Sequence, residues 1–169
     1  MRLFLALIPP PGLRRQLGQL ADAAHAQCGG QRIVDDNLHL TLAFLGEQSE
    51  AAAESLSRWL ESQVFGAGQW RLDRWGHFAG PRIVWVGGPG SAELQRRQAS
   101  LVESLAGFGI EVQPRQFRPH ISLLRNASPP PATDLPTVEL DWSYARVSLV
   151  SSVPTPQGSR YTTLASSRP

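Results

Sequence analysis

The sequence predicts a mixed α and β fold built from two similar halves that face each other across a cleft. In each half a short apolar strand is followed by an amphipathic helix and then by a strand that carries a histidine. His39 lies 36 residues after Leu3, where the first strand begins, and His120 lies 37 residues after Ile83, at the corresponding point of the second half. Such near-equal spacing indicates an internal duplication, which predicts a pseudo-twofold molecule.

The first half is predicted from apolar patterns that proline and glycine interrupt. An apolar run ends at a proline triplet, and the helix after it carries leucines at helical spacing until Gly29-Gly30 stops it. Ser49 is the predicted N-cap of the second helix, whose apolar face ends with Val64. The predicted elements of this half are strand Leu3–Ile8, helix Gly12–Gln27, strand Leu38–Leu45, helix Glu50–Val64 and strand Trp70–Trp75.

The second half repeats this order of elements. Ser91 is the predicted N-cap of its helix, and Phe108 is the last residue of that helix's apolar stripe. A proline-rich loop over 128–136 separates the histidine strand from the last strands. The predicted elements are strand Ile83–Val86, helix Ala92–Ala106, strand His120–Leu124 and the strands Val138–Val150 and Tyr161–Ala165, with a turn over Pro154–Gly158.

Composition favours one globular domain. The chain has 169 residues, of which 41% are hydrophobic, so it can bury a substantial core, and we expect most of its five tryptophans there. No apolar run approaches the roughly 18 residues of a membrane span, and the first strand is too short for a secretory signal, so we expect a cytoplasmic protein. A single cysteine, Cys28, excludes an internal disulfide and a cysteine-rich zinc site.

Two short motifs carry the chemistry of the chain. They are His39-Leu40-Thr41-Leu42 and His120-Ile121-Ser122-Leu123, each a histidine and a hydroxyl residue separated by one apolar residue. Because strand side chains alternate, histidine and hydroxyl share one face of each strand. Opposed imidazoles can act as general base and general acid, and paired hydroxyls suit the oxygens of a phosphate. With no carboxylate cluster or zinc motif beside them, they predict phosphodiester chemistry without a metal or cofactor.

With their flanking residues, the motifs resemble those of the two-histidine phosphoesterases, in particular the bacterial RNA 2′,3′-cyclic phosphodiesterases, also called the LigT-like 2′-5′ RNA ligase family. The matching segments are Arg2–Leu7, Asn37–Gly46, Arg82–Gly87, Phe117–Arg125 and Gly158–Tyr161. The resemblance implies one domain over residues 1–169 with an α+β, bilobal LigT-like fold. Two duplicated β-α-β lobes, seeded by about 1–75 and 82–165, would form mainly antiparallel sheets that flank a central cleft.

The resemblance also implies an activity: hydrolysis of RNA ends that carry a 2′,3′-cyclic phosphate, leaving a 2′-phosphate. His39 would be the proton donor to the departing 3′ oxygen, and His120 the proton acceptor that activates water. The spacing of the two motifs does not itself say which histidine is the acid. In the ligation direction the two roles exchange.

Four further residues take binding roles by the same resemblance. Thr41 and Ser122 would hold the phosphate, Phe44 would stack on the base and Arg125 would contact phosphate. Ser122 stands where the family usually has threonine, and because a hydroxyl is retained we expect activity to be retained. Phe44 and Arg125 lie five residues after their histidines, so they reach the histidine face only if each strand ends or bulges before them.

Two other functions fit the same motifs. One is a 2′-5′ RNA ligase that uses the site in reverse, and the other is a non-catalytic module that binds RNA or nucleotides. In every case the expected partners are RNA ends or cyclic nucleotides, with no membrane, no obligatory protein partner and a monomeric state. Arg115 and Arg118 precede His120 and could line an RNA path.

Overall fold

The computed structural model describes residues 1–112, 116–131 and 133–169, so Arg115 lies outside the described residues. Its strands are β1 (Arg2–Leu7), β2 (Gln31–Arg32), β3 (Leu40–Glu47), β4 (Gly68–Leu72), β5 (Arg74–Phe78), β6 (Ile83–Gly87), β7 (His120–Arg125), β8 (Leu140–Tyr144), β9 (Ser148–Thr155) and β10 (Gly158–Ser166). Its helices are α1 (Pro11–Cys28), α2 (Glu50–Ser62) and α3 (Ala92–Leu105), with 3₁₀ turns at Asp35–Asn37 and Ala106–Phe108. None of these described helices is long and apolar enough to cross a membrane.

The strands form one large sheet and one small sheet. The large sheet has the order β10-β9-β1-β3-β7-β6-β5, with β2 beside β7, and β4 pairs with β8 separately. Neighbouring strands run antiparallel in both sheets. The predicted α+β class with antiparallel sheets is therefore confirmed.

The two halves of the large sheet meet between β3 and β7. The contact is one antiparallel residue pair, in which Leu40 lies opposite Ile121. The C-terminal hairpin β9–β10 extends the half that contains β1 and β3, while β5 and β6 extend the half that contains β7. Each histidine strand thus lies next to the seam, and both ends of the chain contribute to the half that contains His39.

Burial separates the two faces of the large sheet. Alternate residues of β1, namely Leu3, Leu5 and Leu7, belong to the main core with the buried stripes of the helices. Phe4 and Ala6 point to the opposite face, in a small separate cluster. Since burying a leucine side chain stabilises a fold by about 1.5–3 kcal/mol, the main core fixes the register of β1 and leaves the second face for other contacts.

Serine caps begin two of the helices, as predicted. Ser49 accepts a hydrogen bond from the backbone N–H of Ala52 at the start of α2, and Ser91 accepts one from Leu94 at the start of α3. Each cap satisfies a backbone donor that the first helical turn leaves unpaired.

Two predicted strands each prove to be two strands in different sheets. Residues 70–75 belong partly to β4, which pairs with β8, and partly to β5, which pairs with β6; the chain changes sheets at Asp73. Residues 138–150 contain β8 and the start of β9, which also lie in different sheets. A continuous apolar pattern does not reveal where a strand changes partners, because both sheets bury one face against the same core.

Two predicted helix faces are too long. α2 ends at Ser62, and Val64 beyond it is 63% exposed. α3 ends at Leu105, and Phe108 lies in the following 3₁₀ turn, which Gly109 closes with a φ of 72°. In both places the chain leaves the helix before the last apolar residue of the pattern. The hairpin turn predicted over 154–158 is a tight turn at residues 156–157.

Candidate active site

A bulge interrupts each motif strand directly after the hydroxyl residue. Against β1, the register of β3 shifts between Thr41 and Ala43, so that Leu42 has no partner of its own. Against β6, the register of β7 shifts between Ser122 and Leu124, which leaves Leu123 unpaired in the same way. The duplication therefore extends to the backbone irregularity of the two strands.

The bulges decide where the residues beyond them point. One extra residue reverses the side on which later side chains lie, so Phe44 and Arg125 return to the face of the hydroxyl residues. Burial agrees, because both side chains are exposed whereas the two residues before each of them are buried. Both strands therefore contain the bulge that a residue five positions after the histidine needs in order to reach the cleft.

Both imidazoles are oriented by the same local contact. The Nδ1–H of His39 donates to the carbonyl oxygen of Asn37 at 2.7 Å, and the Nδ1–H of His120 donates to that of Arg118, also at 2.7 Å. A carbonyl can only accept, so the proton of each neutral ring lies on Nδ1. Nε2 of each ring is therefore the nitrogen available for chemistry.

The seam of the sheet brings the two motifs together. Because Leu40 lies opposite Ile121 in an antiparallel pair, His39 lies near Ser122 and Thr41 lies near His120. Leu40 and Ile121 are both fully buried on the core side. The two histidines and the two hydroxyls consequently share the other face, on either side of a local twofold axis.

His39 sits in an aromatic setting that favours its neutral form. Its ring centroid lies 4.8 Å from that of Phe4 and 5.5 Å from that of Tyr161. Burial, with a further contribution from the positive charges of Arg125 and Arg14, lowers its pKa to about 4. The hydroxyl of Thr41 lies 2.7 Å from Nε2, to which it donates when the ring is neutral.

His120 has a matching aromatic setting from the other half. The Phe78 ring lies edge-on at 4.9 Å, and the Trp85 ring lies at 5.9 Å. Burial lowers the pKa of His120 as well, although its backbone hydrogen bond acts against the shift. At neutral pH both rings are therefore neutral before any ligand binds.

Arg125 and Phe44 lie at the rim of this face. Nη2 of Arg125 donates to the hydroxyl of Tyr161 at 3.4 Å, which links β7 to β10 across the seam. Phe44 is 69% exposed, and its ring lies 6.3 Å from Phe4. A face that carries an exposed aromatic ring, a guanidinium and two imidazoles can receive a ligand with a planar ring and a negative charge.

All six residues singled out by the sequence motifs lie on this face. The sequence patterns missed its aromatic wall, which is formed by Phe4, Phe78, Trp85 and Tyr161. Four of the five tryptophans pack in or against the core as expected; Trp85 does not, because it pairs with Ser122 and so shares its face. The signal that would have identified Trp85 is its pairing with Ser122, a residue of a motif strand.

The structure describes no group of three or more histidine, cysteine, aspartate or glutamate side chains arranged to hold a metal ion within residues 1–112, 116–131 and 133–169. The face offers two imidazoles, hydroxyl donors and a guanidinium. Such a set can move protons and stabilise negative charge on a phosphorus centre.

Comparison with known proteins gives consistent matches. Residues 9–152 match the model of the 2′-5′ RNA ligase superfamily. The chain is 36% identical over 146 residues to the RNA 2′,3′-cyclic phosphodiesterase of Escherichia coli K12, which covers 85% of this chain and 81% of that protein. It is 32% identical over 179 residues to the RNA 2′,3′-cyclic phosphodiesterase of Thermus thermophilus, covering 97% and 88%. The crystal structure of E. coli LigT complexed with 3′-AMP matches with a TM-score of 0.83 and 31% identity, covering 98% and 95% of the two chains.

Proposed function

The chain belongs to the 2′-5′ RNA ligase superfamily, and from this membership we propose that it is an RNA 2′,3′-cyclic phosphodiesterase, a hydrolase of RNA ends. Two of its relatives carry that name and align over most of this chain. The observation that carries the proposal is the duplicated site: two histidines, each held through Nδ1, present Nε2 on one face.

In the proposed reaction the two histidines divide the proton transfers. Nε2 of His120 takes a proton from water as the water oxygen attacks phosphorus. The bond from phosphorus to the 3′ oxygen breaks, and Nε2 of His39 gives its proton to that oxygen, which leaves a 2′-phosphate. Support comes from the position of the two rings on opposite sides of the seam, as attack and departure on opposite sides of phosphorus require.

Charge on the phosphate is stabilised by donors from both halves in this proposal. Thr41 and Ser122 donate hydroxyl hydrogen bonds to the non-bridging oxygens, and the Arg125 guanidinium adds a positive charge. Thr41 bonds His39 in the free protein, so it turns from that nitrogen to the phosphate when substrate binds. The base of the terminal nucleotide stacks on the exposed ring of Phe44.

In this proposal, substrate binding also causes His39 to become protonated. The pKa of His39 is about 4 in the free protein, so the ring is neutral near pH 7. The anionic phosphate offsets the charges of Arg125 and Arg14 and raises the pKa of His39. Protonation is thereby linked to the arrival of the substrate, and the pH–rate profile is expected to be bell-shaped.

We propose that the reaction needs neither metal nor cofactor. The test is a short RNA ending in a 2′,3′-cyclic phosphate, incubated with the protein in EDTA, with the product resolved as 2′-phosphate or 3′-phosphate. We expect a 2′-phosphate that forms at the same rate with and without EDTA and is lost in His39→Ala and His120→Ala. Loss of activity in EDTA that one added metal restores would overturn the metal-free mechanism.

We propose a monomeric cytoplasmic protein of one domain, with RNA ends or cyclic nucleotides as substrates and no obligatory protein partner. In support, the pseudo-twofold site is assembled from residues of a single chain, from β1, β3, β7 and β10. Light scattering on the purified protein tests the monomer, and cell fractionation tests its location.

A further inference from the structure

A glutamine interrupts the apolar face of helix α3. Leu94, Leu101 and Leu105 are buried in the main core, and Gln98 lies among them at helical spacing. The pattern predicts an apolar residue at this position, because burying a glutamine there costs side-chain entropy and hydration. Gln98 is nevertheless half-buried. A polar side chain that breaks the core pattern of its own helix indicates a specific partner.

The partner of Gln98 is the bulge of β3. Its side-chain amide donates from Nε2 to the carbonyl oxygen of Leu42 at 3.0 Å. Leu42 is the residue that the register shift after Thr41 leaves without a partner in β1, and it is only 3% exposed. This hydrogen bond therefore joins a helix of the second half to the motif strand of the first half.

The bulge of β7 is held at the equivalent atom. The backbone N–H of Ile33 donates to the carbonyl oxygen of Leu123 at 2.9 Å. Ile33 lies in the first half and Leu123 in the second, so each half supplies a donor to the bulge of the other. Because the same carbonyl is held in both strands, the hold belongs to the geometry of the bulge. In β3 this hold depends on a side chain, so a substitution can remove it.

The ring of Phe44 takes its position from the backbone of this bulge. Phe44 is 69% exposed, and its ring centroid lies 6.3 Å from that of Phe4. An exposed ring has few packing contacts, so the strand beneath it decides the face on which it lies. If Leu42 were paired regularly, Phe44 would turn toward the core.

We propose that Gln98 is a positioning residue for base recognition. By holding the carbonyl of Leu42 it keeps the bulge that presents Phe44 to the nucleobase of the substrate. Gln98 acts from the core side of the sheet and does not touch the substrate itself. The inference rests on the proposed function, from which it takes the stacking role of Phe44.

A ratio of two activities tests this role. The substrates are adenosine 2′,3′-cyclic phosphate and the 2′,3′-cyclic phosphate of methyl riboside, which has no base. The ratio of their kcat/KM values reports base recognition and does not depend on how much of a variant is folded. Gln98→Met removes the donor and keeps an unbranched side chain that fits the apolar face of α3. Gln95→Met is the matched control, since Gln95 of the same helix donates to the carbonyl of Phe117 at 2.8 Å.

In the wild type we expect a ratio of at least about ten in favour of the adenosine substrate, since each stacked base contributes binding energy. Gln98→Met should lower the ratio at least about fivefold, whereas in a Phe44→Ala background it should change the ratio less than about twofold. Such non-additivity shows action through the Phe44 ring. A general loss of structure would instead lower the activity on both substrates alike. Gln95→Met should keep the wild-type ratio.

Hydrogen exchange measures the hold on the bulge without any activity. The backbone amides of residues 41–44 would be followed by NMR in the wild type and both methionine variants. Gln98→Met should exchange these amides about tenfold faster than the wild type, because local opening becomes easier. Gln95→Met should leave their exchange unchanged.

Four results would overturn the inference. They are a wild type without preference for the adenosine substrate, a Gln98→Met variant with the wild-type ratio, an equal effect of Gln98→Met with and without the Phe44 ring, and unchanged exchange over residues 41–44. Failure of the proposed function gives a different result, since the wild type would then hydrolyse neither substrate. In that case the exchange rates still decide whether Gln98 holds the bulge.

Discussion

At the scale of single residues, the site depends on what each imidazole nitrogen touches. Nδ1 of both histidines is engaged by a backbone carbonyl two residues earlier, which fixes the tautomer and aims Nε2 at the cleft. Asn37, which supplies one of these carbonyls, is itself tied to β10, because its side-chain amide donates to the carbonyl of Ser159 at 2.8 Å. The orientation of His39 is thus linked, through Asn37, to the C-terminal strand β10.

Thr41 offers the most direct residue-scale prediction. Thr41→Val keeps the shape of the side chain but removes the hydroxyl, so it deletes the donor to His39 and, in the proposed reaction, to the phosphate. We expect kcat/KM on a cyclic phosphate RNA to fall about 100- to 1000-fold, as is typical for loss of one transition-state donor. Thr41→Ser keeps the hydroxyl and should stay within about threefold of wild type. Equal activity of the valine and serine variants would show that the hydroxyl has no part in the reaction.

At the scale of the elements, the paired bulges connect the fold to the site. If Leu42 and Leu123 were paired regularly instead of forming bulges, the side chains of Phe44 and Arg125 would point into the core. With the bulges, the two motif strands together present six residues on one face instead of four.

The proposed role of Phe44 in base stacking can be tested by comparing its alanine variant with the alanine variant of a buried phenylalanine. Phe44→Ala removes an exposed ring, so we expect its free energy of unfolding to stay within about 0.5 kcal/mol of wild type while KM for RNA rises about tenfold. Phe65 is only 8% exposed, and Phe65→Ala should cost about 3–5 kcal/mol by creating a cavity. Urea denaturation and steady-state kinetics on both variants check this. A Phe44→Ala variant as unstable as Phe65→Ala would mean that the ring is part of the core.

Helix α1 gives a second element-scale prediction, through the turn that precedes β3. A Cβ on Gly18 would lie 2.7 Å from Oδ1 of Asp35, at the start of the 3₁₀ turn that ends at Asn37. Because the Asp35 carboxylate would have to leave Nη1 of Arg32, which it contacts at 2.8 Å, Gly18→Ala should destabilise the protein despite the better helix propensity of alanine. Gly12→Ala in the same helix meets no atom within 4 Å and should be neutral or stabilising by up to about 1 kcal/mol. Thermal denaturation of both variants measures the difference. Equal stability of Gly18→Ala and Gly12→Ala would show that the contact with Asp35 does not constrain the helix.

Periodicity predicted most helices and the two motif strands, but not the partners of the strands. The caps Ser49 and Ser91 and both histidine positions could be identified because each depends on a few neighbouring residues. The switch of sheets at Asp73 and the cleft position of Trp85 depend on pairing between distant segments, which a single sequence does not encode locally. For the same reason, the need for a bulge could be stated from the sequence, but its presence could not.

At the scale of the whole molecule, the fold places the two half-buried imidazoles at the seam between its halves. This arrangement destabilises the folded protein at low pH, because the fold disfavours the charged form of His39. The pKa of His39 is lowered from 6.5 to about 4. The pKa of His120 is lowered as well. Between pH 6.5 and 4 the unfolded chain therefore binds more protons than the folded protein, and stability falls with the pH.

The pH dependence of stability tests this linkage. Each pKa unit corresponds to about 1.4 kcal/mol, so His39 should account for a loss of at most about 3 kcal/mol as the pH falls from 6.5 to 4. His39→Gln cannot take up this proton and should lose correspondingly less stability over that range. Urea denaturation of both proteins at pH 7.5 and 4.5 measures the difference. Parallel losses in the two proteins would show that His39 does not titrate abnormally in the folded state.

In the proposed reaction, His39 protonates the departing 3′ oxygen while His120 activates water. A cyclic phosphate whose bridging 3′ oxygen is replaced by sulfur tests it most directly, because a thiolate leaves without needing a proton. Rates of ring opening of this substrate would be measured for the wild type, His39→Ala and His120→Ala. We expect the sulfur substrate to restore most of the activity of His39→Ala and none of that of His120→Ala. Rescue of His120→Ala alone would reverse the two roles, and rescue of neither variant would contradict the assignment of His39 as the acid.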